Sequence, residues 1–388
     1  MANTLLTPQQ ITREALRVLH QKLTFIGNIN RQYDSQFAKS GAKIGDSLKI
    51  RLPNEYTVRT GRTLSAQDVT ETSTTLQVAT QAGVDVNFYS SELTLSLDDF
   101  SSRIIEPAMA RLAAHMEADA LNMYKDVYNL VGTAGTVPAD LLTYLEAKRK
   151  LDENLTPMDS NRTAHLLPIS TVKLVDALKG LFQDSKAITE QYREGMMGRT
   201  AGFDFYQNTL MPTHTVGADV TTVTVNGATQ TGSTLTVTGA DVKKGDVFTI
   251  AGVYQVHPET KATMPNLQQF VVTADGTTSL SISPPITTSG AKQTVNASPA
   301  NGAAITFVGT AATGYGQNLA FHKDAFAFAT ADLIMPKGVD WSAREVYDGI
   351  SMRVVRAYDI NNDALPCRID VLYGYKTIRP QMACRITN

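Results

Sequence analysis

The chain has 388 residues, 43% hydrophobic and 19% charged, which is the balance of a folded chain and more length than one typical core uses. Its formal net charge of −2 gives none of the basic excess of a chain that binds nucleic acid by neutralising phosphates. Two cysteines, Cys367 and Cys384, and six scattered histidines exclude a disulfide framework and place no pair at metal-ligand spacing. Two reduced, partly buried thiols are the plain reading, and a single Cys367–Cys384 bridge stays open.

At the N-terminus, "MANTLLTPQQITREALRVLHQKL" lacks a basic segment followed by an apolar run, so it does not read as a signal peptide. No apolar run approaches the roughly 20 residues of a membrane-spanning helix, and folding in a cytosol is expected. Ile11, Ala15, Val18, Leu19 and Leu23 recur at helical spacing, with Thr7-Pro8 suited to a helix start. Residues 4–24 therefore read as a helical arm that docks on something else. From Gly45 to Leu93 the period changes to two. "DSLKIRLP" and "YTVRT" face "TLQVAT" and "VDVNFYSSEL" across the polar "GRTLSAQDVTETST", the pattern of a long hairpin with an exposed tip.

The strongest helix pattern runs from Ser96 to Asn129. Ser96 or Asp98 can cap it, Pro107 kinks it or starts its main segment, and Ile105, Met109, Leu112, Met116, Ala120 and Met123 form an apolar stripe. Such a methionine stripe reads as core. Residues 131–212 alternate helices ("PADLLTYLEAKRKLDENL" and "STVKLVDALKGLF", the latter with Ser170 as its cap) with the buried strand "TAHLLPI".

The composition then shifts. From His214 to Gly314 the chain carries four lysines and no arginine, is rich in Thr, Val, Gly and Ala, and shows no helical period. "TTVTV", "STLTVTG", "DVFTIAG", "QQFVVTA", "TSLSIS" and "AITFVG" are short alternating segments, the signature of a small all-β barrel or sandwich set into α+β sequence. Phe248, Tyr254, Phe270 and Phe307 alternate as core residues. Host strands resume at "NLAFHKDAFAFATADLIMP" and "ISMRVVRAYDI". In "PCRIDVLYGYKTIRPQMACRIT", Cys367, Ile369, Val371 and Tyr373 take the core face, against Arg368, Asp370 and Leu372.

Catalytic and ligand signals are weak throughout. "KKGD" (Lys243–Asp246) lacks the glycine–lysine frame of a phosphate loop and precedes a strand rather than a helix, so it reads as a turn. Lys243 and Lys244 are either solvated or meet an acidic neighbour. Asp359, Asn361 and Asp363 begin like a calcium loop, but Ala364 stands where glycine is needed and Asp370 where a bidentate Glu is preferred. Helix capping and a solvated face account for Asp98-Asp99 and Glu117/Asp119. "GYG" at 314–316 reads as a hinge. No enzyme, cofactor or metal site is expected, and a long hairpin with a docking arm points to assembly.

Four stretches in order resemble the major capsid proteins of tailed double-stranded DNA bacteriophages with the Hong Kong phage capsid fold. The likeness is to the subfamily of the Salmonella short-tailed phage coat protein, which carries an inserted β-barrel. These stretches are "LSLDDFSSRIIEPAMARLAAHMEADAL", "RTAGFDFYQNTLMP", "VKKGDVFTIAGVYQVHPET…LQQFVVT" and "PCRIDVLYGYKTIRPQM", with Cys367-Arg368, Gly374 and Arg379-Pro380 in the family pattern. The resemblance implies an α+β chain with an N-arm (1–45), an extended hairpin loop (46–95), a peripheral domain with a spine helix (96–130 and 350–388), an axial domain (131–213 and 315–349) and an inserted barrel (214–314). It also implies hexamers and pentamers in an icosahedral shell, with virion as destination and host cytoplasm as place of assembly. Implied partners are a separate scaffolding protein, a portal protein, packaged DNA held without sequence-specific binding, and in some phages a decoration protein, with no membrane. Arg59, Arg62, Asp68 and Glu71 on the hairpin are candidate intersubunit contacts. The competing class is a carbohydrate-binding or adhesion protein using the Thr-rich barrel; against it, Trp341 is the one tryptophan and lies outside the barrel.

Overall fold

The computed structural model describes residues 8–33, 46–59, 61–64, 66–68, 71–89, 104–178, 199–347, 349–360 and 364–388. Helix α1 (Pro8–Lys22) buries Ile11, Ala15, Leu16, Val18 and Leu19. Strand β1 (Asn30–Tyr33) follows a short 3-10 turn. β2 (Asp46–Arg51), β3 (Ser73–Val78) and β4 (Thr80–Tyr89) come next, then α2 (Glu106–Leu121). Pro107 lies in the first turn of α2, just after π-helical Ile104 and Ile105, so it falls at the start of the α-helical segment. The expected caps Ser96 and Asp98, and Asp99, lie outside the described residues. The methionine stripe is buried from Ile105 to Met123, and α2 gives way to a 3-10 turn at Asn122–Asp126.

After β5 (Leu130–Val131) come α3 (Leu141–Glu153), β6 (Arg162–Leu166) and α4 (Pro168–Leu178). Ser170 sits inside α4 rather than capping it, and its hydroxyl accepts a bond from Asn318 Nδ2 at 3.2 Å. Strands β7 (Arg199–Thr200), β8 (Phe203–Gln207) and β9 (Thr213–Thr215) lead to the threonine-rich stretch. That stretch forms β10 (Gly232–Thr236), β11 (Val247–Val256), β12 (Thr263–Val272), β13 (Ser279–Ile286) and β14 (Ile305–Phe307). The chain ends with β15 (Gly314–His322), β16 (Phe326–Ala331), β17 (Trp341–Tyr347), β18 (Ile350–Arg356), β19 (Ala364–Thr377) and β20 (Ala383–Thr387).

One compact unit gathers Met1–Arg51, Ser73–Ala120 and Phe326–Lys376. Its sheet runs β1-β16-β19-β18-β17, and β4 pairs antiparallel with β19 from Tyr89↔Ala364 to Thr80↔Tyr373. The expected single hairpin thus divides. β3 pairs with β2, whereas "VDVNFY" belongs to the larger sheet. Two glycines permit the close packing. A Cβ at Gly83 would lie 2.4 Å from the Ile369 carbonyl oxygen, and one at Gly374 would lie 2.0 Å from that of Gln77.

Two polar readings are corrected in this unit. Asp370 and Leu372, expected on a solvent face, are buried, because β19 is an interior strand covered on both sides over this stretch. Asp370 accepts bonds from Arg353 Nη2 at 2.6 Å and Arg368 Nε at 2.8 Å, as a structural carboxylate. Glu117, expected on a solvated face, is also buried. Its carboxylate accepts the Phe25 N–H at 2.5 Å and bonds from the Thr24 hydroxyl, while Asp119 accepts from the Tyr373 and Tyr375 hydroxyls.

The second unit gathers Leu52–Thr72, Leu121–Ala325 and Thr377–Asn388. Its seven-stranded sheet runs β5-β20-β15-β6-β8-β7, with β9 paired to β15. Side-chain alternation assigns its faces. Ala164, Leu166, Ala320, Cys384 and Ile386 pack under α3 and α4 with Tyr144, Ala147, Leu151 and Leu174. The other face carries His165, stacked between Tyr206 and Phe321 at 5.4 and 5.5 Å, with its imidazole pushed down to about 3 by burial. Both cysteines are free and buried, and burial pushes each thiol up to about 12.

The inserted sheet has the order β10-β13-β12-β11-β14. "TTVTV" is not a regular strand, yet Val225 bridges to Val237 and Thr224 to Ala304, so this segment spans the two edges of the sheet and closes it. Phe248, Ile250, Phe270, Leu280, Val295 and Phe307 fill the interior. Tyr254, expected in the core, is exposed, beyond a register shift in the pairing of β11 with β12. Among the described residues no helix is long and apolar enough to cross a membrane.

Candidate assembly interface and insertion junction

The hairpin begins as a regular ladder, from Asp46↔Val78 to Arg51↔Ser73. One more bond continues its register, Leu52 N–H to Thr72 carbonyl at 2.8 Å. Farther out, Gln67 substitutes for backbone pairing. Its side-chain oxygen accepts the Thr57 N–H at 2.9 Å, and its Nε2 donates to the Thr57 carbonyl at 2.6 Å. The described residues of "YTVRT", Tyr56–Arg59, form no strand, which corrects the strand expected there; Thr60 lies outside the described residues. Tyr56, Val58 and Leu64 are 59%, 93% and 80% exposed. A tip of three such side chains has shape without a core of its own.

The four hairpin candidates, Arg59, Arg62, Asp68 and Glu71, are all exposed. Arg59 donates back to the carbonyl of Gly61, whose φ of +106° is open to glycine. Between the barrel and the rest of the second unit lies a cleft of about 330 Å³, lined by Glu55, Tyr128, Gln255, Lys261, Lys292 and Gln381 among others. Among the described residues no group of three or more His, Cys, Asp or Glu side chains is placed to hold a metal ion.

The barrel joins the unit through a two-stranded stalk. The strand entering it, β9, and the start of the strand leaving it, β15, pair as Thr215↔Gly314, His214↔Tyr315 and Thr213↔Gly316. The "GYG" segment is therefore part of a ladder. The "KKGD" turn packs against this stalk. Gly245 has φ +101°, and a Cβ there would lie 3.0 Å from His214 Cε1 and 3.1 Å from Lys125 Cγ. Asp246 is buried. Its Oδ1 meets His214 Nε2 at 2.8 Å, and its Oδ2 accepts the N–H groups of Lys243 and Gly217 at 2.8 and 3.1 Å. His214 Nδ1 faces the Tyr124 hydroxyl at 3.3 Å. Arg385 of β20 donates to the Gly245 carbonyl at 2.5 Å and to Gln317 Oε1 at 3.0 Å, and lies over the Tyr124 ring.

Burial pulls the Arg385 guanidinium down to about 10, so it stays cationic at neutral pH. Burial also lowers His214, outweighing the bond to Asp246, which acts in the opposite direction. The two lysines of the turn both meet acids. Lys244 pairs with Asp126 at 3.1 Å, and Lys243 lies 3.6 Å from Asp275 and 3.8 Å from Asp241. Nothing in the sequence marks His214, Tyr124 or Arg385 as partners of this turn, because they lie on separate strands and turns.

A family model described as P22 coat protein, gene protein 5, matches residues 8–386. Among solved structures, a chain from Mycobacterium phage Che8 is 13% identical with TM-score 0.49, covering 100% of this chain and 95% of that one. The capsid structure of the cyanophage P-SCSP1u is 11% identical with TM-score 0.44, over 94% of this chain and 88% of that one. The CUS-3 coat protein I-domain is 33% identical over 23% of this chain and 96% of its own length, with TM-score 0.20. No curated relative matches.

Proposed function

We infer how this chain works from one premise: it belongs to the P22 coat protein family, matched over residues 8–386, and is a major capsid protein that forms a phage shell. Its α+β architecture is the Hong Kong phage capsid fold of that family, and its place is the virion capsid. The family match, which spans the chain from α1 to β20, carries this reading and displaces the carbohydrate-binding alternative.

The finer reading is that hexamers and pentamers of this chain close an icosahedral shell around double-stranded DNA. In this proposal residues 1–45 are the arm, 46–95 the extended loop, 96–130 with 350–388 the peripheral domain, 131–213 with 315–349 the axial domain, and 214–314 the inserted barrel. The paired stalk of β9 and β15 supports an insertion at that place. The exposed hairpin segment, with Tyr56, Val58 and Leu64 beside Arg59, Arg62, Asp68 and Glu71, lies on a neighbouring subunit. Apolar side chains there supply contact area, and the charges set register more than affinity, as exposed ion pairs contribute only about 0–1 kcal/mol each. A separate scaffolding protein, a portal protein and, in some shells, a decoration protein complete the partner set, with DNA enclosed but not read. Negative-stain microscopy of the purified protein with and without co-expressed scaffolding protein tests this. Closed shells, tubes or ring-shaped capsomers are expected, and a strictly monomeric protein under both conditions would sink it.

A further inference from the structure

The insertion junction holds a buried ionisable cluster that shell building by itself does not call for. Its parts come from four places: Tyr124 and Lys125 from the turn after α2, His214 from the stalk, Asp246 from the turn before β11, and Arg385 from β20. We propose that His214, Asp246 and Arg385 form an acid-releasable latch that fixes the inserted barrel at its stalk.

Hydrogen-bond chemistry sets the closed state. An ionised carboxylate only accepts, so His214 Nε2 must carry a proton toward Asp246 Oδ1. In the neutral ring Nδ1 is then an acceptor, and the Tyr124 hydroxyl donates to it. Both imidazole nitrogens are satisfied, and so are both oxygens of Asp246, whose Oδ2 holds the N–H groups of Lys243 and Gly217. One histidine thereby ties the stalk, the turn and the end of the α2 segment together.

A second proton on His214 changes two of these relations. Nδ1 becomes a donor, so the Tyr124 hydroxyl must turn away. A new cation appears beside the same tyrosine ring that Arg385 already faces at 5.1 Å and Lys125 at 5.9 Å. Asp246 is the carboxylate bonded to the ring, and its charge also acts on the Arg385 guanidinium. The outer pair Lys244–Asp126 sits at the same turn, at 3.1 Å. Because the folded chain holds His214 below the ordinary histidine value, the unfolded or opened chain takes the proton first. The contribution of the latch is complete above about pH 6.5 and declines as pH falls below it. Opening frees the turn carrying Lys243–Asp246 and the stalk strand β9, while the barrel's apolar core is untouched.

Hydrogen–deuterium exchange on the full chain tests this. Rates at pH 7.5 and pH 5.0, corrected for intrinsic pH dependence, are compared for peptides covering 213–217 and 242–247, with β13, which carries no titratable side chain, as internal reference. The wild type is expected to lose protection about tenfold in both peptides at the lower pH, with β13 unchanged. His214→Gln, whose amide can donate to Asp246 and accept from Tyr124, is expected to remove that pH response. Equal protection at both pH values, the same acid response in H214Q, or a loss shared by β13 would overturn the latch. Should H214Q fail to fold, the wild-type ring is titrated by NMR with labelled histidine. A midpoint below about 6.5 supports the latch, and one at or above it refutes it.

Discussion

Glu117 lies on α2 with its carboxylate out of water, an arrangement that is unfavourable unless every oxygen is bonded. The Phe25 N–H and the Thr24 hydroxyl do this from the turn after α1. Burial raises its titration point, and the bonds from Phe25 and Thr24 pull the other way. The raised value sets the sign of the pH effect. The unfolded chain ionises first as pH climbs above the ordinary carboxylate range, so stability falls with pH through that window. Glu117→Gln keeps an acceptor for Phe25 and removes the charge, so it is expected to flatten this slope and hold the melting temperature at pH 7. Glu117→Ala leaves a buried N–H without its acceptor and is expected to cost about 1–3 kcal/mol. Melting curves at pH 5 and pH 8 distinguish the two, and an unchanged slope in E117Q would refute the assignment. None of this is legible from residues 115–119, where the acids read as a solvated face, because the donors are over 90 positions away. The same holds for His214, Asp246 and Arg385, which chain folding alone brings together.

At the level of elements, period and composition carry much of the fold. The alternation in "DVFTIAG", "QQFVVTA" and "TSLSIS" marks β11, β12 and β13, and the helical stripes mark α1 and α2. Two elements escape such patterns. Tyr56–Arg59 of "YTVRT" are β-prone but form no strand, and propensity alone does not make a ladder. "WSAREVY" carries no strand expectation, yet it forms β17 at the sheet edge. There Arg344 reaches Asp332 and Trp341 lies under the Arg356 guanidinium, so the charges are absorbed by neighbours. Gly374 shows how closely two elements can be set. Its Cα hydrogen occupies space that a methyl group would share with the Gln77 backbone. Gly374→Ala is therefore expected to push β3 off β19 and destabilise by about 1–3 kcal/mol. Gly27→Ala, at a site with open space and ordinary φ, is expected to stay within about 0.5 kcal/mol. Equal melting temperatures for the two variants would show that β3 yields without cost.

For the whole molecule, the decisive separation is between folding and assembly. The buried cores of both units are built from residues outside the hairpin segment 52–72, whose apolar side chains Tyr56, Val58 and Leu64 are exposed. Among its described residues, the bonds within it include Leu52 to Thr72, the two Thr57–Gln67 bonds, and Arg59 to Gly61. Such a segment adds little to the stability of one subunit, since exposed surface substitutions shift it within about 0.5 kcal/mol. A neighbouring copy that covers it gains apolar burial at roughly 25 cal/mol per Å², and a closed shell repeats that gain at every subunit. Deleting residues 61–73 is thus expected to leave a soluble subunit with a near-wild-type melting temperature and circular dichroism spectrum, and to abolish shells seen by microscopy and sedimentation. Arg59→Ala with Asp68→Ala is expected to slow assembly while still giving shells, because charge steers encounter more than it holds the contact. Normal shells from the deletion would move the interface off the hairpin altogether. Loss of the folded subunit would show instead that residues 61–73 belong to the monomer's own stability.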